Sequence, residues 1–148
     1  MPAPEIRFYG GDERMDRYSI PVDSAQTIKP GWFVNEVAGE CVPTDAATED
    51  AVFAGVAITG HTPNKDYRSE ISVAETCEVE VDVVSGTYTR GEGLKISGTD
   101  YGDDLTLAAD AGANTIAWAA ETKSSAVTRL RVRVEVWRLK KLRGSVDA

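Results

Sequence analysis

Leu130-Arg-Val-Arg-Val-Glu-Val136 has four apolar residues at the even positions and charged residues at the odd positions between them. A second stretch, Val73-Ala-Glu-Thr-Cys-Glu-Val-Glu-Val-Asp-Val83, shows a similar alternation. Successive side chains of a β-strand point to opposite faces, so this pattern is typical of a strand with one face on a core and the other in water. The two stretches therefore predict a protein organised by β-sheet.

The charged faces of these two strands are complementary. One carries three arginines and the other three acids: Arg129, Arg131, Arg133, Glu78, Glu80 and Asp82. Opposite charges on directly paired residues stabilise a sheet, so we expect the two strands to lie side by side. Other strands compete for each edge, and a cation bound by the row of carboxylates would leave the same pattern in the sequence.

Length and composition indicate one globular domain. A chain of 148 residues with 42% hydrophobic and 27% charged residues is near the norm for folded proteins. At this length folding buries roughly 68–70% of the surface of the unfolded chain. No apolar run approaches the roughly 20 residues of a membrane helix, and the start has neither the basic nor the apolar region of a secretion signal. We expect a soluble protein that does not bind membranes.

Charge is unevenly distributed along the chain. The net charge is −8, but residues 129–148 carry +5, which leaves −13 for residues 1–128. A body this acidic is repelled by nucleic acid, so direct DNA or RNA binding is not expected. The basic residues near the end either face an acidic neighbouring strand or dock on an acidic partner, and the two interpretations are compatible.

Three segments are expected: an extended N-terminal arm at 1–27, a β domain at 28–139 and a basic C-terminal tail at 140–148. The arm has prolines and glycines but no sustained period. Its apolar residues Ile6, Phe8 and Tyr9 favour contact with the chain's own domain or with a neighbour. Because short β segments separated by turns follow, we predict an all-β fold: a small single-domain β-barrel or β-sandwich of short strands.

A weak internal repeat is visible in the β domain. The first copy begins at Gly31 and ends in the strand near Val73; the second begins at Gly93 and ends in the strand at Leu130. Each copy has a glycine turn, two short strands, an alanine-rich strand, a polar loop and a long alternating strand. Two such units closing on each other would form a small barrel or sandwich.

Catalytic templates find little support in the sequence. The single histidine, His61, lies in a Gly-His-Thr-Pro turn and is expected at the surface. Cys41 and Cys77 are too far apart for a C-x-x-C site, so they are expected to be plain thiols, or a disulfide if their strands adjoin. We predict no enzyme, no catalytic or metal-binding residue and no cofactor.

Two further features have alternative interpretations. Asp100-Tyr-Gly-Asp-Asp104 is either a solvated turn or a group of carboxylates around calcium, although it lacks EF-hand spacing. Trp32, Trp118 and Trp137 lie in β segments, where they are expected to anchor a core or an interface. A sugar-stacking platform is the alternative for the tryptophans.

The basic end has the composition of a docking site. Alternation breaks at Trp137, and four cations follow it: Arg138, Lys140, Lys141 and Arg143. An aromatic residue supplies area for burial and charges at the rim steer association. We therefore expect these five residues, like the three apolar residues of the arm, to lie at a protein interface.

Five segments carry a resemblance to a known family: residues 28–34, 40–46, 52–57, 89–96 and 107–110. They contain a glycine-turn strand, a Pro-Thr-Asp-Ala segment and a Gly-Val-Ala strand. Over about residues 27–137 the chain resembles the capsid decoration, or cement, proteins of tailed bacteriophages. One departure is Trp118-Ala-Ala120, which stands where a second Gly-x-Ala is expected.

The resemblance implies a structural virion protein that binds the outer surface of an assembled capsid and stabilises joints between major capsid subunits. Its partners would be the major capsid protein and further copies of itself, as a homotrimer. It would be made in the host cytoplasm and reside on the outer capsid surface. The alternatives are a tail or baseplate β module of a virion, or a carbohydrate-binding accessory domain that uses the tryptophans and residues 100–104.

Overall fold

A computed structural model describes residues 17–44, 53–63, 69–97, 105–109 and 115–136, together with the short segment 5–7. Only the backbone is described at residues 5–7 and 17. The described residues form eleven strands: β1 (Glu5–Arg7), β2 (Arg17–Pro21), β3 (Phe33–Val37), β4 (Glu40–Pro43), β5 (Phe53–Ala57), β6 (Glu70–Ala74), β7 (Thr76–Tyr88), β8 (Gly93–Ile96), β9 (Thr106–Ala109), β10 (Ala117–Ala119) and β11 (Lys123–Glu135). The predicted all-β fold is confirmed.

The strands form two sheets. One has the order β2-β6-β5-β3-β4, and the other has the order β1-β7-β11-β10-β8-β9. In the second sheet β7 also pairs with β9, in parallel, so the strands β7-β11-β10-β8-β9 close into a small barrel. β1 pairs with β7 on the outside of this ring. We call β2–β6 the N-terminal unit and β7–β11 the C-terminal unit.

The two units have the same strand order and register. In each, the first strand pairs with the fifth, the fifth with the fourth, the fourth with the second and the second with the third. Two pairs of the N-terminal unit and their equivalents in the C-terminal unit show the shared register: Val34 with Gly55, Ala57 with Val73, Leu94 with Ala117 and Ala119 with Val132. The internal repeat of the sequence is therefore a structural duplication.

Equivalent glycine turns precede β3 and β8. Gly31 and Gly91 have φ angles of 93° and 91°. Their N–H groups donate to the carbonyls of Ala57 and Ala119, over 2.7 and 2.8 Å. The start of the second copy at Gly93 was therefore wrong by two residues, because the turn needs its glycine where φ is positive.

The C-terminal unit closes on itself, whereas the sequence suggested that two units close on each other. In the C-terminal unit Asp82 of β7 pairs with Thr106 of β9. The position equivalent to Asp82 is Pro21, because the pair Ile20–Ile71 matches the pair Val81–Leu130. Proline has no N–H to donate, so β2 lies near β4 without the ladder that joins β7 to β9.

The core consists of two clusters. The smaller fills the N-terminal unit with residues such as Ile20, Val34 and Ile71. The larger fills the barrel of the C-terminal unit and also includes Phe33 and Phe53 from the N-terminal unit, whose ring centroids are 5.7 Å apart. All five residues of β5 are buried, which leaves neither of its faces in water. Because both units contribute to the larger cluster, the two units share a core.

The structure differs from the expected arm at its C-terminal end. β2 lies within residues 1–27, yet it pairs with β6 along its whole length, and Ile20 is 1% exposed. Val22 is buried as well. The segment predicted as an arm therefore contains an integral strand, because a five-residue stretch that ends in proline is too short to show an alternating pattern in the sequence.

Candidate functional site

Arginines and carboxylates form a charge ladder across β7 and β11. Arg129 lies opposite Asp82, Arg131 opposite Glu80 and Arg133 opposite Glu78, so the predicted pairing is confirmed. The ion pairs are Arg129 Nη1 to Asp82 Oδ1 at 2.8 Å, Arg129 Nε to Glu80 Oε1 at 3.5 Å, Arg133 Nη1 to Glu78 Oε2 at 3.4 Å and Arg131 Nε to Glu78 Oε1 at 3.6 Å. Arginines therefore balance the charge of this row of carboxylates.

The ladder is unevenly buried. The side chain of Asp82 is 7% exposed, whereas that of Arg133 is 45% exposed. Removing one partner of a buried ion pair leaves an uncompensated charge, but an exposed pair contributes little. The Arg129–Asp82 end therefore fixes the register of β7 on β11 more strongly than the Arg133–Glu78 end.

His61 is not a surface residue. It is 2% exposed, and its backbone exchanges two hydrogen bonds with that of Ile28, at 2.8 and 3.0 Å. Its Nδ1 donates to the carbonyl of Gln26, because a carbonyl oxygen can only accept. The expected surface position is wrong, because the backbone of His61 pairs with that of Ile28, in the loop before β3, and His61 is buried there.

Both cysteines are free and buried, so the expected plain thiols are confirmed. Burial raises the pKa of each thiol, Cys41 and Cys77, to about 12. The thiols belong to different core clusters. They are therefore protonated at neutral pH and poor nucleophiles.

Two of the three tryptophans are core anchors, as expected. Trp32 is 8% and Trp118 is 5% exposed, so neither offers a ring face to a sugar. Trp118 lies opposite Gly93, where the N-terminal unit has Val56 opposite Phe33. The large and the small residue have exchanged strands, and the segment equivalent to Gly55-Val56-Ala57 is Ala117-Trp118-Ala119, one residue before the segment expected from the sequence.

Most of the expected interface falls outside the described residues. Phe8, Tyr9, Trp137, Arg138, Lys140, Lys141 and Arg143 lie there, as do residues 100–104. For Ile6 the structure gives the backbone, in β1 opposite Val79. The interface at the arm and the basic end stays a prediction.

The duplication reveals a feature that the sequence did not. β1 pairs with residues 78–80 of β7, and the equivalent residues of β2 are 17–19. Among the described strands none pairs with this edge of β2. We call residues 17–19 the open edge of β2; the only signal in the sequence would have been an alignment of β2 with β7.

Comparisons with known proteins give no family. No family model matches the chain, and no curated protein is significantly similar to it. Within the described residues, no helix has the length and apolar character needed to cross a membrane. No cluster of three or more potential metal ligands occurs among these residues.

Proposed function

We propose that this chain is a structural virion protein that binds the outer surface of an assembled bacteriophage capsid and stabilises joints between major capsid subunits. The proposal rests on the positions in the fold of the five segments that resemble capsid decoration proteins. Residues 28–34 and 89–96 contain the equivalent turns and the starts of β3 and β8. Residues 40–46 contain β4, residues 107–110 overlap the equivalent strand β9, and residues 52–57 contain β5. Apart from β5, the resemblance thus involves equivalent elements of both units.

Mass action explains how such a protein acts without catalysis. A ligand that binds only the assembled state stabilises that state by RT ln(1 + [L]/Kd), about 2.7 kcal/mol at 100 times Kd. Many copies on one shell, arranged as homotrimers, add their contributions, and multivalent attachment makes each trimer slow to leave.

The charge distribution supports a protein partner of opposite local charge. The basic end, residues 138–143, follows an acidic body, so it would steer association towards an acidic surface of the capsid subunit. The apolar residues of the arm would add burial at the same interface. This protein interface needs neither nucleic acid nor a membrane.

Copy number in intact particles tests the proposal. Quantitative mass spectrometry of purified virions should find the chain at a fixed ratio near that of the major capsid protein. A tail or baseplate module would instead be present in a few copies per particle, and an accessory domain would be absent from particles. Either of these outcomes would overturn the proposal.

A further inference from the structure

Among the described strands, none takes in the N-terminal unit the place that β1 takes in the C-terminal unit. The outer edge of β7 carries β1 at residues 78–80 and β9 at residues 82–83. The outer edge of β2 has β4 beside it, as the equivalent of β9, but none of the described strands pairs with residues 17–19. The same edge in the other unit accepts an antiparallel strand, so this position has the geometry for one.

Backbone groups of the open edge point away from the sheet. Val22 N donates to Ser69 O at 2.8 Å, which continues the pairing of β2 with β6. In an antiparallel pair, the backbone N–H and C=O groups of every second residue point to the same neighbouring strand, and those of the residues between them point to the opposite side. Tyr18 and Ile20 therefore bond to β6, while Arg17 and Ser19 direct N–H and C=O groups outwards. Pro21, the next outward residue, has no N–H, so the available edge ends there.

We propose that β2 of a second copy occupies the open edge, in antiparallel pairing about a twofold axis at Tyr18. In this register Arg17 of each copy lies opposite Ser19 of the other, so the two residues with outward groups bond to each other. No like charges face each other. Tyr18 meets its own counterpart at a position without backbone hydrogen bonds, where Cα atoms are about 4.5 Å apart and aromatic side chains are close.

Occupancy argues for β2 rather than β1 of the second copy, because β1 is already paired with β7 of its own chain. The isologous contact of two β2 strands displaces none of the described strands and closes on itself.

The contact extends the proposed function, because it joins copies to each other and requires no shell. Only three residues a side take part, so we expect weak pairing that becomes populated when copies are concentrated, as on a shell. If free protein forms trimers, this contact would join two trimers. The tests use free protein, so their failure leaves capsid binding untouched.

Substitutions at Ser19 isolate the backbone N–H. Ser19→Pro removes the outward donor, and Ser19→Ala keeps it; neither touches the bonds from β2 to β6. In sedimentation velocity over a range of concentrations, the natural protein and Ser19→Ala should show pairing that Ser19→Pro loses, with melting temperatures that stay close. Equal association of the two variants, or no pairing of the natural protein at the highest concentration, would overturn the proposal.

Cross-linking at the axis gives an independent measurement. Tyr18→Cys places two thiols across the twofold axis, within the 4.4–6.8 Å Cα separation of disulfides. Mild oxidation should convert it to a linked dimer, whereas Val84→Cys, at an exposed position of β7, should stay unlinked. The buried native cysteines do not compete. A folded Tyr18→Cys protein that forms no linked dimer would overturn the proposal.

Discussion

Gly55 occupies a tight backbone position in the N-terminal unit. Its φ is 137°, and a Cβ there would lie 2.2 Å from the carbonyl oxygen of Ala74. Because strain and overlap act together, Gly55→Ala should lower the free energy of unfolding by about 3 kcal/mol or more, measured by urea denaturation. Gly86→Ala is the control, since its nearest atom is 3.8 Å away. Equal losses at the two positions would contradict the prediction.

The two buried thiols and one tyrosine make the free energy of unfolding decrease with pH in the alkaline range. The pKa values of Cys41, Cys77 and Tyr18 are raised to about 12, in each case mainly by burial. The folded state therefore holds protons that the unfolded chain releases from about pH 9. Stability from these groups is full below pH 9 and is lost as pH rises towards 12.

Chemical denaturation at pH 8, 9, 10 and 11 measures this fall in the free energy of unfolding. Cys77→Ala should lower stability at every pH but flatten the decline, because one of the three groups is gone. A decline of unchanged steepness would show that other groups cause it.

Burial of single residues was predictable where it follows from strand alternation. Cys77 lies on the apolar side of an alternating stretch, so its burial could be predicted. The burial of His61 could not, because it depends on pairing with Ile28, 33 positions earlier in the chain. Gly91 was likewise missed in favour of Gly93, since only the backbone angle distinguishes two nearby glycines.

At the scale of elements, the charge ladder should divide into a strong and a weak end. Arg129→Met leaves the buried carboxylate of Asp82 uncompensated and should cost about 3–5 kcal/mol. Arg133→Met removes an exposed pair and should cost less than about 1 kcal/mol. Thermal and urea unfolding of both variants measure the difference. Similar losses from the two substitutions would mean that burial does not set the energies.

The pairing of β7 with β11 could be predicted because two constraints agree. A slip by one residue would move the apolar side chains of one strand to the wrong face, and a slip by two would leave one of the three arginines without an acid opposite it. β5 offered neither constraint, because Phe53-Ala-Gly-Val-Ala57 is buried on both faces and does not alternate. β1 and β2 are too short, with three and five residues, to show a period.

At the scale of the whole molecule, the N-terminal segment should have two separable roles. Deletion of residues 1–16 removes Ile6, Phe8 and Tyr9 together with the three-residue strand β1 but spares β2, so it should weaken binding to empty shells while lowering the melting temperature much less than a deletion that includes β2. Deletion of residues 1–21 also removes β2 from the sheet and should lower the melting temperature strongly. Unchanged shell binding by the shorter deletion would contradict the predicted interface of the arm.

The basic end should steer association through charge. Replacing Arg138, Lys140, Lys141 and Arg143 with glutamine should weaken binding to shells and reduce its salt dependence, since screening acts over about 8 Å in physiological buffer. Cosedimentation with empty shells at low and high salt measures both effects. Lys95→Gln with Lys123→Gln is the control for loss of positive charge elsewhere. Undiminished binding with an unchanged salt dependence would show that this segment is solvated and has no role in binding to shells.

One residue joins the two units: Glu75, between β6 and β7. Its carbonyl accepts a hydrogen bond from Val136 N at 3.0 Å, directly after β11 ends. Hinges in proteins are made by a few residues that absorb large changes in φ and ψ. This linker is a single residue held by a hydrogen bond, so it cannot make such changes freely. A force applied to one unit is therefore transmitted directly to the other. Under mechanical load the two units respond together as one rigid body.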